Sequence, residues 1–337
     1  SLRFNTDTAH LEYFRGNTIG WTEIEAELTA PLGGGTGSNV GLGVRGLYMG
    51  GNPGSSPNCS VTIEFLTIST FGSSQNFGDL SRAINQGSSF ASRKRGFEVG
   101  GNSPSSQYGT QDADMVIFAS LGDATDFATL ASIKKEAGAF SNSIRGVHTG
   151  GGSNVIQYIT METGGSFVDF GDTRTAYEQN MCFASTTRGF SGSGNAVPAY
   201  TISSNIDIVT IMTTGNSTDF GDVSSGRYGG ASGSNATRGL FACGYSPAVK
   251  NIIDFITMTT TGNAIDFGDA TAAKYGLSGG FASATRFAFA GGSTNPGPTV
   301  AVIDKVEFAT TGNAIDFGDL SAAKSGGGQC SNGHGGL

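Results

Sequence analysis

The side chains that could perform acid–base or metal chemistry in this chain are few and far apart. Three histidines occur, His10, His148 and His334, and their spacing fits no pattern of metal ligands. The pairs Asp266/Asp269 and Asp316/Asp319 could attract calcium, but they lack the oxygen-rich loop of a calcium motif. We therefore expect no catalytic residues, no metal site and no cofactor, and a hydrolase with a carboxylate pair is the weaker alternative.

A sixfold repeat organises the chain that would have to position any site. Phe-Gly-Asp or a variant of it begins at Phe77, Phe127, Phe170, Phe220, Phe267 and Phe317. An Arg followed by Gly or Phe alternates with it, at Arg45, Arg95, Arg145, Arg188, Arg238 and Arg286. Two interleaved markers with one period indicate six copies of one supersecondary unit. A unit of this length, made of short β-type runs, is typical of a propeller blade.

The composition suits short strands joined by tight turns. Gly supplies 55 of the 337 residues and charged residues only 14%. The net charge of −8 opposes binding to nucleic acid, which requires a basic surface. No apolar run approaches the length of a membrane-spanning helix, so we expect no membrane insertion. The four cysteines lie in different repeats and are expected to be buried or free thiols.

Each repeat predicts four strands, and the loop between the second and third strands varies in length. We expect these loops on the same face as the connections between blades, where loop variation commonly builds a binding surface. Tyr108, Tyr200 and Tyr245 are the candidate ligand contacts on this face. Neutral drift in exposed loops explains the variation equally well. The loops span residues 52–60, 102–112, 152–154, 194–204, 245–251 and 293–299.

The two ends of the repeat region complement each other. Residues 331–337 align with residues 234–240, so the last stretch predicts a first strand without the other three. The first copy supplies those three strands. We therefore expect an all-β, six-bladed propeller over residues 45–337 in which both termini close one blade, which removes exposed sheet edges. Residues 130–137 are the only helical candidate and predict at most a turn or two.

A cation follows each Phe-Gly-Asp marker and allows two interpretations. A ring of cations at the channel mouth could hold an anionic ligand. Alternatively, each cation pairs with the Asp of its own repeat, such as Asp222 or Asp269, and the presence of a cation in every copy favours this structural role. The recurrent Arg residues are likewise expected to make strand-edge or inter-blade contacts. The cations are Arg82, Lys134, Arg174, Arg227, Lys274 and Lys324.

The second strand of most copies ends in a glycine pair, which resembles the kelch motif. The pair occurs as Gly50-Gly51, Gly100-Gly101, Gly150-Gly151 and Gly291-Gly292. The kelch pattern also places a Trp after the glycines, whereas Trp21, the single Trp here, lies outside the repeats. The chain is therefore kelch-like; the resemblance implies a propeller fold and carries no activity with it.

The N-terminal segment, residues 1–24, predicts three short strands and resembles a short module of phage tail-fibre proteins. The repeat text Thr-Thr-Gly-Asn-Ala-Ile-Asp-Phe-Gly-Asp-Leu, residues 310–320, is similar to that of kelch-like virion proteins of marine bacteriophages. Three strands of this size do not stand alone, so the segment must pack on the propeller, on copies of itself or on a partner. The expected anchors are Phe4, Tyr13, Phe14 and Trp21.

These resemblances imply a non-enzymatic virion protein, a fibre, knob or tail-associated propeller that mediates assembly and attachment. Residues 1–30 would form an attachment segment and residues 31–44 a Gly-rich linker. The expected partners are other virion proteins, a host-surface glycan or receptor, and further copies of the chain, with the protein located on the extracellular virion. The alternative is a glycan-binding or adhesion propeller of a cell, secreted or on its surface.

Overall fold

The structure, a computed structural model, describes residues 2–5, 10–14, 21–23, 44–54, 58–106, 108–295 and 297–337. Every regular element in this part of the chain is a β-strand, and the sheets are arranged as a β-propeller. The described residues hold no helix that is long and apolar enough to cross a membrane. Apart from Val44, the predicted linker lies outside the described residues.

Three short strands precede the propeller: β1 (Leu2–Asn5), β2 (His10–Phe14) and β3 (Trp21–Glu23). They form an antiparallel sheet of their own in the order β1-β2-β3. Phe4 stands opposite Leu11 in the strand register, and Phe14 stands opposite Trp21. The side chains of Phe4, Tyr13, Phe14 and Trp21 lie outside what the structure describes, so their role as anchors stays a prediction.

Most propeller strands pair antiparallel with a strand that is adjacent in the chain, and two short pairs are parallel. The first half comprises β4 (Arg45–Met49), β5 (Ser60–Thr67), β6 (Gln75–Ile84), β7 (Ser88–Ala91), β8 (Arg95–Val99), β9 (Thr110–Ile117), β10 (Thr125–Lys134), β11 (Ala137–Ser141), β12 (Arg145–Gly150), β13 (Ser153–Thr160), β14 (Gly165–Ser166) and β15 (Val168–Glu178). The second half comprises β16 (Met181–Ala184), β17 (Arg188–Ala196), β18 (Thr201–Thr210), β19 (Thr218–Asp222), β20 (Ala231–Ser234), β21 (Arg238–Tyr245), β22 (Val249–Thr257), β23 (Ile265–Asp269), β24 (Ser278–Gly279), β25 (Phe281–Ala282), β26 (Arg286–Ala290), β27 (Val302–Glu307), β28 (Ile315–Asp319) and β29 (Gly328–Ser331). The helical candidate is wrong, because residues 130–134 continue β10.

Hydrogen bonding groups these strands differently from the six separate four-stranded blades that the sequence predicts. Four sheets have the four or five strands of one blade: β24-β29-β4-β5-β6, β14-β10-β9-β8-β7, β20-β21-β22-β23 and β25-β26-β27-β28. The remaining strands, β11 to β13 and β15 to β19, form one eight-stranded sheet. The two repeats join because β15 and β17 are long enough for their ends to pair with each other, with Tyr177 opposite Ala196.

Strand β29 joins the end of the repeat region to its beginning. It pairs antiparallel with β4, with Gly328 opposite Met49 and Ser331 opposite Gly46. Asn332 extends the joint, because its Oδ1 accepts a hydrogen bond of 2.8 Å from the backbone N–H of Arg45. The last strand and the first three strands of the repeat region therefore share one sheet, as the sequence predicts.

The Phe-Gly-Asp marker joins one repeat to the turn before the fourth strand of the next repeat through hydrogen bonds, which we call the clasp. The N–H of Gly312, in the turn before β28, donates to the Phe267 carbonyl at 2.7 Å. The N–H of Asp269 donates to Asn313 Oδ1 at 3.0 Å. Gly268 lies between the two bonds with φ +146°, and a Cβ added there would meet the Gly312 carbonyl group at 2.5 Å. The marker therefore has a structural role, with Gly required for the close approach.

The recurrent arginines make contacts between repeats, as the sequence predicts. Each guanidinium donates to a backbone carbonyl that follows the third strand of the next repeat. The bonds run from Arg45 to Phe118 (2.5 Å), Arg95 to Met161 (2.8 Å), Arg145 to Ile211 (2.9 Å), Arg188 to Met258 (3.2 Å), Arg238 to Phe308 (2.5 Å) and Arg286 to Ile68 (3.0 Å). These bonds join the second strand of each repeat to the next repeat.

Apolar side chains fill the space between neighbouring repeats. In one cluster, Phe140, Ile156 and Phe170 meet Ala184 and Ile211 of the next repeat. In another, the rings of Phe183 and Phe241 lie 4.9 Å apart. Because each repeat buries its apolar face only against its neighbours, the ring of sheets is stabilised as a whole.

Candidate functional site

A cavity of about 790 Å³ lies along the propeller axis, lined by residues of the inner strands β7, β11, β16, β20, β25 and β29. This volume lies within the range of small-molecule binding sites. Serine hydroxyls tie neighbouring inner strands together. Their oxygens donate to carbonyls at 2.7 Å, from Ser141 to Ala91, from Ser234 to Ala184 and from Ser331 to Ala282. The cavity wall is therefore a rigid scaffold.

The C-terminal residues close one end of this cavity. His334 Nε2 lies 3.0 Å from the Ala91 carbonyl, and His334 Nδ1 accepts from the Gly336 N–H at 3.1 Å. The Gly335 N–H donates to the Ser234 carbonyl at 2.8 Å. These bonds place the proton of the ring on Nε2. Burial lowers the pKa of His334 to about 4, so this floor is uncharged at neutral pH.

A closed ring of backbone hydrogen bonds, which we call the collar, surrounds the other end. Its members are Gln86, Glu136, Gln179, Gly229, Gly276 and Gly326, one from each connection into an inner strand. The donors are the N–H groups of Gln86 (2.6 Å to Gly326), Glu136 (2.8 Å to Gln86), Gln179 (2.6 Å to Glu136), Gly229 (3.0 Å to Gln179), Leu277 (3.0 Å to Gly229) and Gly326 (2.7 Å to Gly276). The collar fixes the diameter of the mouth.

All members of the collar have left-handed backbone dihedrals, and only three of them are Gly. The glycines have φ between +65° and +72°, whereas Gln86, Glu136 and Gln179 have φ of +54°, +55° and +54°. A residue with a Cβ costs roughly 1 kcal/mol in this region relative to Gly. Three long polar side chains are therefore held at strained positions around the mouth.

The cavity is lined mainly by uncharged polar groups. Lys135 and Glu136, both at the mouth, are the Lys and Glu side chains of the lining, which contains no Arg or Asp. The amides, which both donate and accept hydrogen bonds, are Asn52, Asn58, Asn85, Gln86, Asn102, Gln179, Asn180 and Gln329. Three amide oxygens, Asn85 Oδ1, Asn102 Oδ1 and Asn180 Oδ1, are buried without a hydrogen-bond partner in the part of the chain that the structure describes.

Three partly buried tyrosines form a row beside the mouth. The ring centroids of Tyr228 and Tyr245 lie 5.5 Å apart, and those of Tyr245 and Tyr275 lie 5.6 Å apart. Tyr275 also lines the cavity. Of the predicted ligand contacts, Tyr245 belongs to this row, whereas Tyr108 and Tyr200 project from their loops with 84% and 64% of their surface exposed.

The predicted loop face is where the mouth lies. Loop residues Asn52, Asn102 and Ser293 line the cavity together with residues of the connections. The Asn52 N–H donates to the Ser325 carbonyl at 2.6 Å, and the Asn85 N–H donates to the Asn102 carbonyl at 3.0 Å. The loops between the second and third strands thus share one face with the connections, while their role in binding stays a prediction.

The cations that follow the Phe-Gly-Asp markers have a structural role, as their recurrence predicts, but the predicted partner, the Asp of the same repeat, is wrong. Because five of them are paired, they form no ring of free cations for an anionic ligand. Five pair with a buried carboxylate on the third strand of the next repeat. The pairs are Arg82–Asp114 (2.9 Å), Arg174–Asp207 (2.5 Å), Arg227–Asp254 (2.8 Å), Lys274–Asp304 (3.1 Å) and Lys324–Glu64 (2.7 Å). The reason is that each cation lies where the chain passes into the next repeat, at the end of a fourth strand or in the connection after it.

For the sixth cation, Lys134, the next repeat has Gln157 at the position of the carboxylate, and Gln157 Oε1 accepts a hydrogen bond from the Ala131 N–H at 2.9 Å. Lys134 Nζ donates to Ser153 Oγ at 2.6 Å, and burial lowers the pKa of Lys134. His148 is fully buried nearby, and both ring nitrogens lack a hydrogen-bond partner among the described residues. Burial, followed by the charge of Lys134, lowers the pKa of His148 to about 3. Both groups belong to the packing between repeats.

The neutral His334 predicts a measurable pH dependence. The unfolded chain protonates this ring below about pH 6.5, whereas the folded chain resists protonation down to about pH 4. Unfolding therefore takes up a proton in this window, and stability falls as the pH falls. Between pH 7 and pH 5, the free energy of unfolding should fall by about 2 kcal/mol more in the native chain than in a His334→Gln variant. Urea denaturation at both pH values measures it; equal decreases would contradict it.

The cysteines are buried free thiols, as the sequence predicts; they are Cys59, Cys182, Cys243 and Cys330. Burial raises the pKa of Cys182 and of Cys243 to about 12. Within the described ranges, no group of three or more His, Cys, Asp or Glu side chains is placed to hold a metal ion.

Sequence reasoning missed the collar side chains and two of the three tyrosines in the row. The signal was available in an alignment of the repeats two residues beyond Lys134, Arg227, Lys274 and Lys324. There Glu136 stands where the other three copies have Gly. A side chain at a position where the other repeats have Gly indicates a role other than closing the backbone turn.

The chain matches no model of a known protein family and no curated protein.

Proposed function

We propose that this chain is a non-enzymatic structural and attachment protein of a phage virion. In this proposal a six-bladed, kelch-like propeller presents its loop face outward and residues 1–30 mount it on other virion proteins. The observation that carries the proposal is the separate sheet β1-β2-β3 ahead of a propeller whose repeats contain the text of residues 310–320. A small sheet joined to a rigid display domain suits assembly, because the sheet needs a partner to become stable.

The count of six blades treats the eight-stranded sheet as two blades joined through the C-terminal ends of β15 and β17. Two observations support it. Only Tyr177 and Glu178 of β15 pair with Ala196 and Asn195 of β17, at the last residues of both strands. The collar also takes one residue from each of six connections. Six repeats with six inner strands then surround one axis.

The mouth of the axial cavity is the binding face in this proposal. It combines a rigid collar with loops of different length, and function is commonly built from such loops on a fixed scaffold. A host-surface glycan or receptor would meet the mouth while β1-β2-β3 faces the particle. Further copies of the chain are possible neighbours on a symmetric virion.

A second candidate is a glycan-binding or adhesion propeller of a cell, secreted or on its surface. The row of Tyr228, Tyr245 and Tyr275 favours it, because aromatic faces pack against the C–H faces of sugar rings while the hydroxyls remain free for hydrogen bonds. The two candidates share the binding face and differ in what the N-terminal sheet is attached to.

Deletion of residues 1–30 tests the proposed mounting. We expect the shortened chain to keep its β-sheet circular dichroism spectrum and to be lost from purified particles of the source, because the contact to the virion is removed. Replacing loop 293–299 by a Gly-Ser linker of equal length is the matched control and should leave incorporation intact. Cryo-electron microscopy of the same particles locates the propeller. Equal incorporation of the deleted chain, or a protein absent from every particle, would contradict the proposal and favour the cellular candidate.

A further inference from the structure

We propose that the mouth of the axial cavity binds a neutral polyhydroxylated ligand, the chemistry of an uncharged terminal sugar. The inference names the ligand class of the proposed binding face. It rests on the proposed function only for the location of the sugar, on a host surface. The site consists of the collar side chains Gln86, Glu136 and Gln179, the amides Asn85 and Asn102 beside them, and the ring of Tyr275.

The backbone strain of the collar is the first argument. Gly229, Gly276 and Gly326 show that the ring of hydrogen bonds closes without side chains at these positions. Gln86, Glu136 and Gln179 close the same ring although their φ values favour Gly. Strain of this kind persists where a side chain serves function, and the inference runs from the observed outlier to the function. All three strained residues carry a terminal group that can hydrogen-bond.

The charge of the cavity selects the class of ligand. Lys135 and Glu136 stand at the mouth with opposite charges, and the rest of the lining carries none, because His334 at the floor is neutral. Phosphate, sulfate and carboxylate ligands are bound by clustered cations. The candidate cations Arg227, Lys274 and Lys324 are already paired with buried carboxylates. An uncharged ligand is therefore the one that this lining suits.

The hydrogen-bonding groups favour hydroxyls over an apolar ligand. Asn102 donates its amide N–H to Gln86 Oε1 at 2.5 Å, and Asn102 Oδ1 has no hydrogen-bond partner among the described residues. Asn85 donates to the Asn58 carbonyl and its Oδ1 is likewise unpartnered. Buried acceptors without a donor cost stability, and a hydroxyl of a ligand or a bridging water could satisfy them. A polyol offers several such donors together.

The ends of the cavity determine how a ligand enters. The floor is closed by His334 and the segment after it, so access is through the collar. A chain end can enter such a cavity, whereas the middle of a polymer cannot pass through it. Tyr275 stands at the entrance, where its ring can cover the apolar face of a sugar. The ligand is thus a terminal residue, with the row of Tyr245 and Tyr228 available to the next residues of the glycan.

The test is a titration of the full chain with neutral oligosaccharides, namely maltotriose, N,N′,N″-triacetylchitotriose, galactotriose and mannotriose, monitored by saturation-transfer NMR and calorimetry. Sialyllactose and a sulfated lactose serve as charged probes. We expect at least one neutral probe to bind saturably. The triple variant Gln86→Gly, Glu136→Gly, Gln179→Gly should bind it at least about tenfold more weakly. Its thermal midpoint should equal or exceed that of the native chain, because Gly relieves the strain.

The matched control is Asp266→Asn, an exposed substitution on β23 that should leave both binding and the thermal midpoint unchanged. Unchanged affinity in the triple variant would overturn the inference, as would tighter binding of the charged probes or no saturable binding of any neutral probe. The virion proposal is tested separately by particle incorporation. Sugar binding at the collar by a protein absent from particles would leave this inference standing and remove the virion proposal.

Discussion

Replacing Arg227 by Met is expected to lower the free energy of unfolding by about 3–5 kcal/mol. Arg227 and Asp254 are both fully buried, and Arg227 Nη1 lies 2.8 Å from Asp254 Oδ2. The same guanidinium donates to the carbonyls of Cys243 at 2.7 Å and Phe241 at 3.0 Å. It also donates to the Ser225 carbonyl at 2.9 Å, so its removal leaves a carboxylate and three carbonyls without this donor. Ser224 Oγ remains as the side-chain donor to Asp254.

Urea denaturation monitored by far-ultraviolet circular dichroism measures this loss in the free energy of unfolding. The control is Glu162→Gln, which breaks the exposed 3.6 Å pair with Arg95 and should cost at most about 1 kcal/mol. The double variant Arg227→Met, Asp254→Leu should recover much of the loss, because no unpaired charge remains. A loss below about 1 kcal/mol in Arg227→Met would show that the pair does not hold the two repeats together.

Gly268→Ala is expected to cost about 3–5 kcal/mol, because it combines two penalties. One is the φ of +146°, which a residue with a Cβ rarely adopts. The other is the approach of the new Cβ to the Gly312 carbonyl group at 2.5 Å, which the backbone of the next repeat must relieve by moving. The clasp formed by Gly312, Asn313 and Ala314 would be weakened with it.

Gly312→Ala is the matched control for this variant. Gly312 has a φ of +154°, and a Cβ added to it meets nothing within 4 Å. It therefore carries the backbone penalty alone and should be about 2 kcal/mol less destabilising than Gly268→Ala. Thermal and urea denaturation of the two variants side by side measure the difference. Equal losses would show that the clasp tolerates movement and that only the backbone dihedral matters.

The periodic contacts could be predicted well from the sequence. Arg95, Arg145 and their equivalents were expected to join blades, and each one reaches a carbonyl of the next repeat. A contact that recurs in every copy is visible as a repeated residue, so its structural role follows from the pattern alone. The pairing of β29 with β4 followed from the same logic, because the last copy lacked what the first copy supplied.

The ion pairs between repeats could not be predicted from the sequence. The cation Lys274 has Asp269 five residues before it, and a local pair was the natural expectation. Its partner is Asp304 on β27, thirty residues later, because the chain turns into the next repeat between them. The merging of two repeats into one eight-stranded sheet was hidden for the same reason, since it depends on how far β15 and β17 extend in space.

Repetition and strand alternation, which act over short stretches of chain, are sufficient to specify an all-β propeller, its inter-repeat arginines and its loop face. The collar, the closed floor and the tyrosine row are different, because each brings together residues from several repeats. Gln86, Glu136 and Gln179 become neighbours only when the ring of sheets closes, and His334 becomes a floor only when it meets Ala91 across the axis. Such convergence leaves no periodic signal along the chain, so only the tertiary structure reveals it.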